Sequence, residues 1–422
     1  MINLTMEIMK YSYRHRWIIF GILAAIYFFV YFHRTSSAVI AKELMAEFAV
    51  SAVAIGLMSS LYFYPYAVMQ IPVGTLSDTL GTRKTATFFT FIAFVGATLF
   101  GLSANFSMAL VARLLMGIGV SGVYIPTLKI LSQWFREQEF ASLTGVLLAV
   151  GNFGAISSAY PLAMMVIFFG WRNSFLVIGA ITLILAILCW VIVRDSPASV
   201  GLMPIVKAQT GKVNIKEGIK SVLKNKYFWP LAIWFFFEYG GIMGYQGLWG
   251  GPYLIEVYGL NKAEAGAILM MVGIGMMLGS PIIGFLSDKI LKARKWTLII
   301  FTIIYFLTWM PFAFATSALS IPILYALSFI MGFSGGVLII TFTSTKELFP
   351  LAITGIATSM VNIFPFIGGA VFQTIMGYLM DMVGKVGAVY PPEAYSIAFK
   401  FCFVAALISL ICSLITKETY PQ

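Results

Sequence analysis

Five ionisable residues stand inside long apolar runs, where charge is expensive: His33 and Arg34, Arg113 and Lys129, and Glu238. Placing such a group in hydrocarbon costs at least ~2.5–3.5 kcal/mol even on the lenient insertion scale, so each needs a partner or a cavity. At 1.5 Å per helical residue, Arg34 stands about 12 Å below Lys42, Arg113 about 9 Å below Ser107 and Glu238 about 17 Å above Tyr227. Both arginines then share one half of the apolar layer, and Glu238 lies near its middle. The chemistry open to this set is capture of an anion by guanidinium groups, with a carboxyl that can take up and release a proton. Three cations (Arg34, Arg113, Lys129) against one acid (Glu238) leave a positive surplus, which a low dielectric turns into a preference for an anion. Each residue also has a plainer account. The arginines can snorkel to headgroups, and Lys129, about 8 Å from Trp134, can snorkel the other way. Glu238 can be a structural partner of Tyr239 or Gln246, and His33 can pack as a neutral ring.

The elements that must position these residues follow from composition. The chain has 422 residues, 60% apolar and 10% charged, with mean hydropathy +0.94. Soluble domains are typically about 45–50% apolar, so this chain belongs in a bilayer. The first run, Trp17 to Ala41, follows Lys10, Arg14 and Arg16; it is longer than a signal-peptide core and lacks a small-residue cleavage site, so it is expected to remain as a helix. Further runs begin near Ser51, Thr85, Ser107, Ala141 and Ser174, and then near Tyr227, Lys262, Thr297, Ile321, Leu351 and Ser396. The expectation is an all-α membrane protein of twelve transmembrane helices, in bundles 1–193 and 227–422 joined by a cytoplasmic linker, 194–226. The linker carries Pro197 and Pro204, and its stretch Val213 to Lys226 reads either as a basic amphipathic helix on the inner leaflet or as a solvated tether.

The formal charge of +11 would suggest nucleic acid in a soluble protein, but here its distribution matters more. Of the 27 basic residues, 19 fall in segments on the N-terminal side of the bilayer and five on the other, which puts both termini in the cytoplasm of a cell with an inner membrane. Cys189, Cys402 and Cys412 lie in apolar runs without metal or disulfide spacing. No nucleotide loop, metal cluster or nucleophile triad is present, so an enzyme, a cofactor, a metal and a nucleic-acid partner are not expected.

A polar turn wedged between apolar runs occurs twice. In QIPVGTLSDTLGTRK, Gln70 to Lys84, residues Gly74, Leu76, Ser77 and Asp78 recur as Gly284, Leu286, Ser287 and Asp288, and Arg83-Lys84 recur as Arg294-Lys295. The offset is half the chain, which fits two homologous halves. Gly74 allows close approach of helix ends, Asp78 can cap a helix or pair with a base, and Arg83-Lys84 form a cationic stop. The second copy lacks a glycine matching Gly81. This turn resembles the signature loop between the second and third helices of the major facilitator superfamily, and the resemblance covers essentially the whole chain. It implies a gating set of Gly74, Asp78, Gly81, Arg83 and Lys84, echoed by Gly284, Asp288 and Arg294.

RLLMGIGVSGVYIPTLKILSQWF, Arg113 to Phe135, with Gly170, Trp171, Arg172, Ser174 and Phe175, is similar to the organic-anion branch of that family, the anion:cation symporters and organophosphate transporters. There a basic residue of helix 1 and the arginine opening helix 4 engage the substrate's acid group, which match Arg34 and Arg113. His33 stands where that branch often has an aspartate, and Val120 where some members carry an acid. Helix 7 offers Glu238 where organophosphate members use an arginine, which disfavours phosphate monoesters and leaves the coupling ion, proton or sodium, open. Helix 5, with Gly145, Gly151 and Gly154, lacks the G-P-x-x-G-G run of drug/proton antiporters. Helix 7 packs seven helix-breaking residues into GGIMGYQGLWGGP, so Gly244 and Gly247 are either an outer gate or a packing seam. Tyr62, Tyr64 and Tyr66 around Pro65 are aromatic filler or line the site. Tyr62, Tyr66, Gln246 and Asn362 complete a candidate substrate-binding set with Arg34, Arg113, His33 and Lys129. The expected activity is secondary transport of a small carboxylate-type anion by alternating access, coupled through Glu238, by a monomer. Export of a drug or siderophore-like amphiphile and a non-transporting sensor on the same scaffold are the alternatives.

Overall fold

In a bilayer every backbone polar group must find its partner within the chain, and these apolar runs answer with helix. The computed structural model describes residues 2–200, 215–350 and 353–420. Among them, ten helices are long and apolar enough to cross a membrane. The antiparallel bridge Val386 to Val389 is the one β pairing among the described residues.

We number the helical rods in chain order. Rod 1 is Ile2–Thr35 continued by Ser37–Phe48, rod 2 Ala52–Ser60 with Phe63–Thr79, rod 3 Thr82–Gly101, and rod 4 Phe106–Ser121 with Tyr124–Trp134. Rod 5 is Glu137–Ser157 with the first part of Tyr160–Ile192, and rod 6 is the remainder. The turn between them is Gly170, whose φ of 74° suits a residue without Cβ. Rod 7 is Phe228–Gly244, a π-turn Tyr245–Trp249, and Gly250–Tyr258. Rod 8 is Lys262–Phe285, rod 9 Arg294–Phe314, rod 10 Ile321–Gly335 with Leu338–Leu348, rod 11 Thr354–Val361 with Ile363–Val383, and rod 12 Pro392–Ile415. The twelve rods coincide with the twelve expected runs. The first differs in length, because its helix begins at Ile2 and passes Ala41 to reach Phe48. The linker holds a helix at Ile215–Lys224; Pro204 and Val213 lie outside the described residues.

Packing divides the chain into two compact units along a line that cuts through rods. The first comprises Met1–His33, Pro65–Gly154 and Phe169–Gly211, and the second Arg34–Tyr64, Ala155–Phe168 and Lys212–Gln422. The ends of rods 1, 2 and 5 that flank residues 36–51, here called distal, thus belong to the same unit as rods 7 to 12.

Each unit contains one copy of the repeated turn. In the first, Gly81 (φ 91°) precedes rod 3, and Asp195, just beyond rod 6, accepts the Arg83 amide at 2.5 Å. A Cβ on Gly81 would stand 2.9 Å from that carboxylate, so glycine serves both conformation and space. In the second, Leu286–Ile290 is a π-turn and Lys292, at the position matching Gly81, takes φ 48°. Glu418, just beyond rod 12, accepts the amides of Arg294 and Lys295 at 2.8 and 3.1 Å. The second turn thus places a positive φ on a residue that carries a Cβ, at a cost of roughly 1–2 kcal/mol. Lys292→Gly should therefore raise the melting temperature of the purified protein, and Gly81→Ala should lower it; a melt unmoved by both substitutions would contradict this account of the turns.

Candidate functional site

Arg34 closes the helix Ile2–Thr35 and is 4% exposed. Its Nη1 donates to the hydroxyl of Tyr239 at 2.9 Å, and its guanidinium carbon sits 5.0 Å from the ring centre of Phe366, a cation–π contact. Tyr239 comes from rod 7, and the residue before it is Glu238. Glu238 is fully buried, and neither carboxyl oxygen has a hydrogen-bond partner among the described residues. Neither Tyr239 nor Gln246 bonds it, so the structural pairing considered for it is absent. The Tyr305 hydroxyl comes close but donates to the Glu238 backbone carbonyl at 2.9 Å. Burying an unpartnered carboxyl is the expensive arrangement, and intramembrane groups so placed are ordinarily functional.

Arg113, in rod 4, is fully buried in the other unit. Its Nη1 donates to the backbone carbonyl of His33 at 3.2 Å and approaches the Met116 sulfur at 3.9 Å. That carbonyl is among the last four of the Ile2–Thr35 helix, which lack internal partners, so Arg113 caps the helix end one residue before Arg34. The His33 ring packs among Phe29, Phe32 and Phe175, with centroids 6.2, 5.9 and 6.4 Å away. The cavity it borders, with Val30, Thr90 and Val120, measures about 10 Å³, room for about one water.

Lys129 is held by the signature turn. Its Nζ donates to the Ser77 carbonyl at 3.0 Å and pairs with Asp78, the side chains being 38% and 71% exposed. Of the two roles open to Asp78, pairing with a base is the one seen. In the second copy Asp288 pairs with Arg294, which also bonds Glu347 from rod 10 at 2.9 to 3.2 Å and Ser287 at 3.0 Å. Arg83 instead lays its guanidinium over Trp190 at 4.8 Å, and Lys84 is exposed beside it. A Cβ at Gly74 or at Gly284 would meet nothing within 4 Å, so close approach is not what either glycine provides in this conformation.

The remaining candidates scatter. Tyr62 is buried where rod 2 breaks, its ring 5.2 Å from that of Phe63. Tyr66, nearly as buried, belongs to the unit that holds a tyrosine cluster in which Tyr27 stands 5.4 Å from both Tyr31 and Tyr124. Gln246 lies in the π-turn of rod 7, and Asn362 is half-buried at the break in rod 11. Gly244 and Gly247 face rod 11. A Cβ on Gly244 would strike Met376, and one on Gly247 would lie 2.6 Å from the Gln373 amide. Gly251 likewise admits the backbone of Ala38, and Lys262 pairs with Glu43. Sequence reasoning passed over Phe366, Tyr305 and Tyr27, because one aromatic among many in an apolar run carries no distinguishing signal.

The sequence model of the family described as Major Facilitator Superfamily matches residues 23–292 and 247–422. The chain is 25% identical over 396 residues to the probable sulfoacetate transporter SauU of Cupriavidus necator, covering 89% of this chain and 90% of that one. It is 27% identical over 369 residues to the hexuronate transporter of Bacillus subtilis, covering 85% and 79%. Among solved structures, a bacterial homolog of the human lysosomal transporter Spinster, in an inward-facing and unoccupied conformation, superposes with a TM-score of 0.75 at 18% identity, covering 94% of this chain and 95% of that one. With its twelve rods, its repeated turn and these matches, the chain is a member of the Major Facilitator Superfamily, a multi-pass membrane transporter.

Proposed function

We propose that the protein carries a small organic anion of the carboxylate class across the inner membrane as a proton-coupled symporter, with both termini in the cytoplasm and the distal rod ends outside. One observation carries this reading: the Arg34 to Tyr239 hydrogen bond, preceded along rod 7 by the buried Glu238, whose carboxyl has no hydrogen-bond partner among the described residues. The relatives in Cupriavidus necator and Bacillus subtilis, a probable sulfoacetate transporter and a hexuronate transporter, are named for anions and support the same class.

The chemistry proceeds from the exchange of partners at Arg34. One of its present partners, the Tyr239 hydroxyl, is neutral, and a carboxylate offers a charge-assisted, two-pronged bond that is roughly twice as strong. An arriving anion displaces Tyr239, whose hydroxyl then donates to the anion or to a neighbour. Glu238, one residue before Tyr239 on rod 7, is the group that takes up the coupled proton as the anion binds at Arg34. Anion and proton thus load together and leave together, which is the requirement of symport. Arg113 acts one step back, by holding the carbonyl of His33 and so the helix end that presents Arg34.

Labelled hexuronate, sulfoacetate and small monocarboxylates offered to proteoliposomes in counterflow give the direct test. Uptake of at least one of them, competed by the others, is expected, and no uptake of any would contradict the assignment. Arg34→Lys and Arg113→Lys should each lower uptake at least about tenfold with expression unchanged, because lysine cannot supply the planar fork. Full uptake in both would remove the arginines from the anion site. Glu238→Gln, which imitates the protonated carboxyl, should retain exchange of substrate for substrate and lose accumulation driven by a pH difference. Accumulation persisting in that variant would exclude Glu238 as the coupling group.

A further inference from the structure

The first turn of any helix leaves its amide groups without internal partners. At the distal start of rod 2 those amides are Ala52, Val53 and Ala54, and the rod does little for itself: Ser51 accepts from Ala54 at a long 3.4 Å. The rest of the cap is supplied from rod 11. Asp381, in its last turn, accepts Ala52 N–H at 3.0 Å with one carboxyl oxygen and Val53 N–H at 2.8 Å with the other. Tyr390, in the turn leading to rod 12, donates to Asp381 at 2.5 Å and accepts from Ala52 at 3.1 Å.

Rod 8 is the counterpart of rod 2 in the half-length repeat, and it starts differently. Asn261 accepts the Glu264 amide at 3.0 Å while the Glu264 carboxylate accepts the Asn261 amide at 2.9 Å, a reciprocal cap contained in its own sequence. Rod 2 has Ala54 where rod 8 has that glutamate. One helix start is self-sufficient, and the other depends on a carboxylate from the opposite half of the chain.

The surrounding packing brings Asp381 within reach. Gly377, four residues before Asp381 on the same face of rod 11, has room for no side chain, since a Cβ would lie 2.6 Å from the Ala52 carbonyl. Gly56, four residues after Ala52, would drive a Cβ into the backbone of Gln373 and Thr374. The two glycines let the rods touch, and the carboxylate closes the contact on the positive end of a helix.

We propose that Asp381 is a positioning residue of the transport cycle: by capping rod 2 from rod 11, with Tyr390, it holds the distal ends of the two halves together and sets the population of the distally closed state. When those ends part, both the carboxylate and the amides pass to water, so the cap favours one state of the cycle and not the other. The inference needs the two halves to separate at this end, but it does not depend on which anion is carried.

The test uses the full chain with spin labels at Leu57 and Met382, both exposed distal positions on rods 2 and 11. Asp381→Asn and Asp381→Ala should each raise the fraction of long label separations by about three- to tenfold, the size of a charge on a helix end. A second variant separates this from mere helix stability. Ser51→Asp, added to Asp381→Ala, gives rod 2 a strong cap of its own. The proposal expects the double variant to regain the melting temperature of the parent while its long separations stay raised. Separations that return to the parent value together with the melting temperature would reduce Asp381 to an ordinary cap, and separations unchanged in all three variants would overturn the proposal. Because the readout requires no substrate, a wrong assignment of the anion leaves it intact.

Discussion

A carboxyl buried in hydrocarbon without a partner is the constraint around which this structure is arranged. Glu238 is fully buried and its carboxyl accepts no hydrogen bond from the described residues, although Tyr305 lies close enough to bond its backbone. The adjacent Tyr239 is engaged by Arg34, and Arg34 in turn lies over Phe366. The acid and the hydroxyl are thus consecutive residues of rod 7, and the hydroxyl is bonded by a cation from rod 1. Such a group weakens the fold unless another state of the molecule makes use of it, and a transport cycle supplies that state.

The half-length repeat shows how one geometry survives changes of residue. Rods 3 and 9 each begin with amides capped by an acid from the segment after the sixth rod of their half, aspartate in one and glutamate in the other. The turn before each takes a positive φ, at Gly81 and at Lys292. The charges around the turns have diverged more. Asp78 meets Lys129, whereas Asp288 shares Arg294 with Glu347, which ties rods 8, 9 and 10 into one cluster. The distal side has diverged as well, since rod 8 caps itself and rod 2 does not. Under the proposed transport cycle the two halves part at one end while closed at the other, so unequal fastenings at the two ends are where a preference for one state can be built.

Much of this was legible in the sequence because hydrocarbon makes charge conspicuous. Arg34, Arg113 and Glu238 stand out in apolar runs and all three are buried, and the repeated turn is legible as a half-length repeat. Lys129 also stood out, yet its partner Asp78 sits in a polar turn where an acid is unremarkable, so the ion pair was invisible and the lysine was grouped with the cavity. His33 was read either as a ligand or as packing, and it lies among three phenylalanine rings. Asp381 went unnoticed for the same reason as Asp78. It ends a helix, where acids are common, and only the distance to Val53 reveals that it serves another rod. Glycine spacing in rod 7 reads as an outer gate or a packing seam, but which rods it admits depends on tertiary contacts that no local pattern encodes.

The central claim is that anion and proton share one path through Arg34 and Glu238. It is tested most directly by following both species at once in proteoliposomes loaded with a pH-sensitive dye, with a gradient of the transported anion alone imposed across the membrane. The account predicts that the interior acidifies as the labelled anion enters, in step with it and at a rate set by its concentration. Anion entry with no change of internal pH would contradict it.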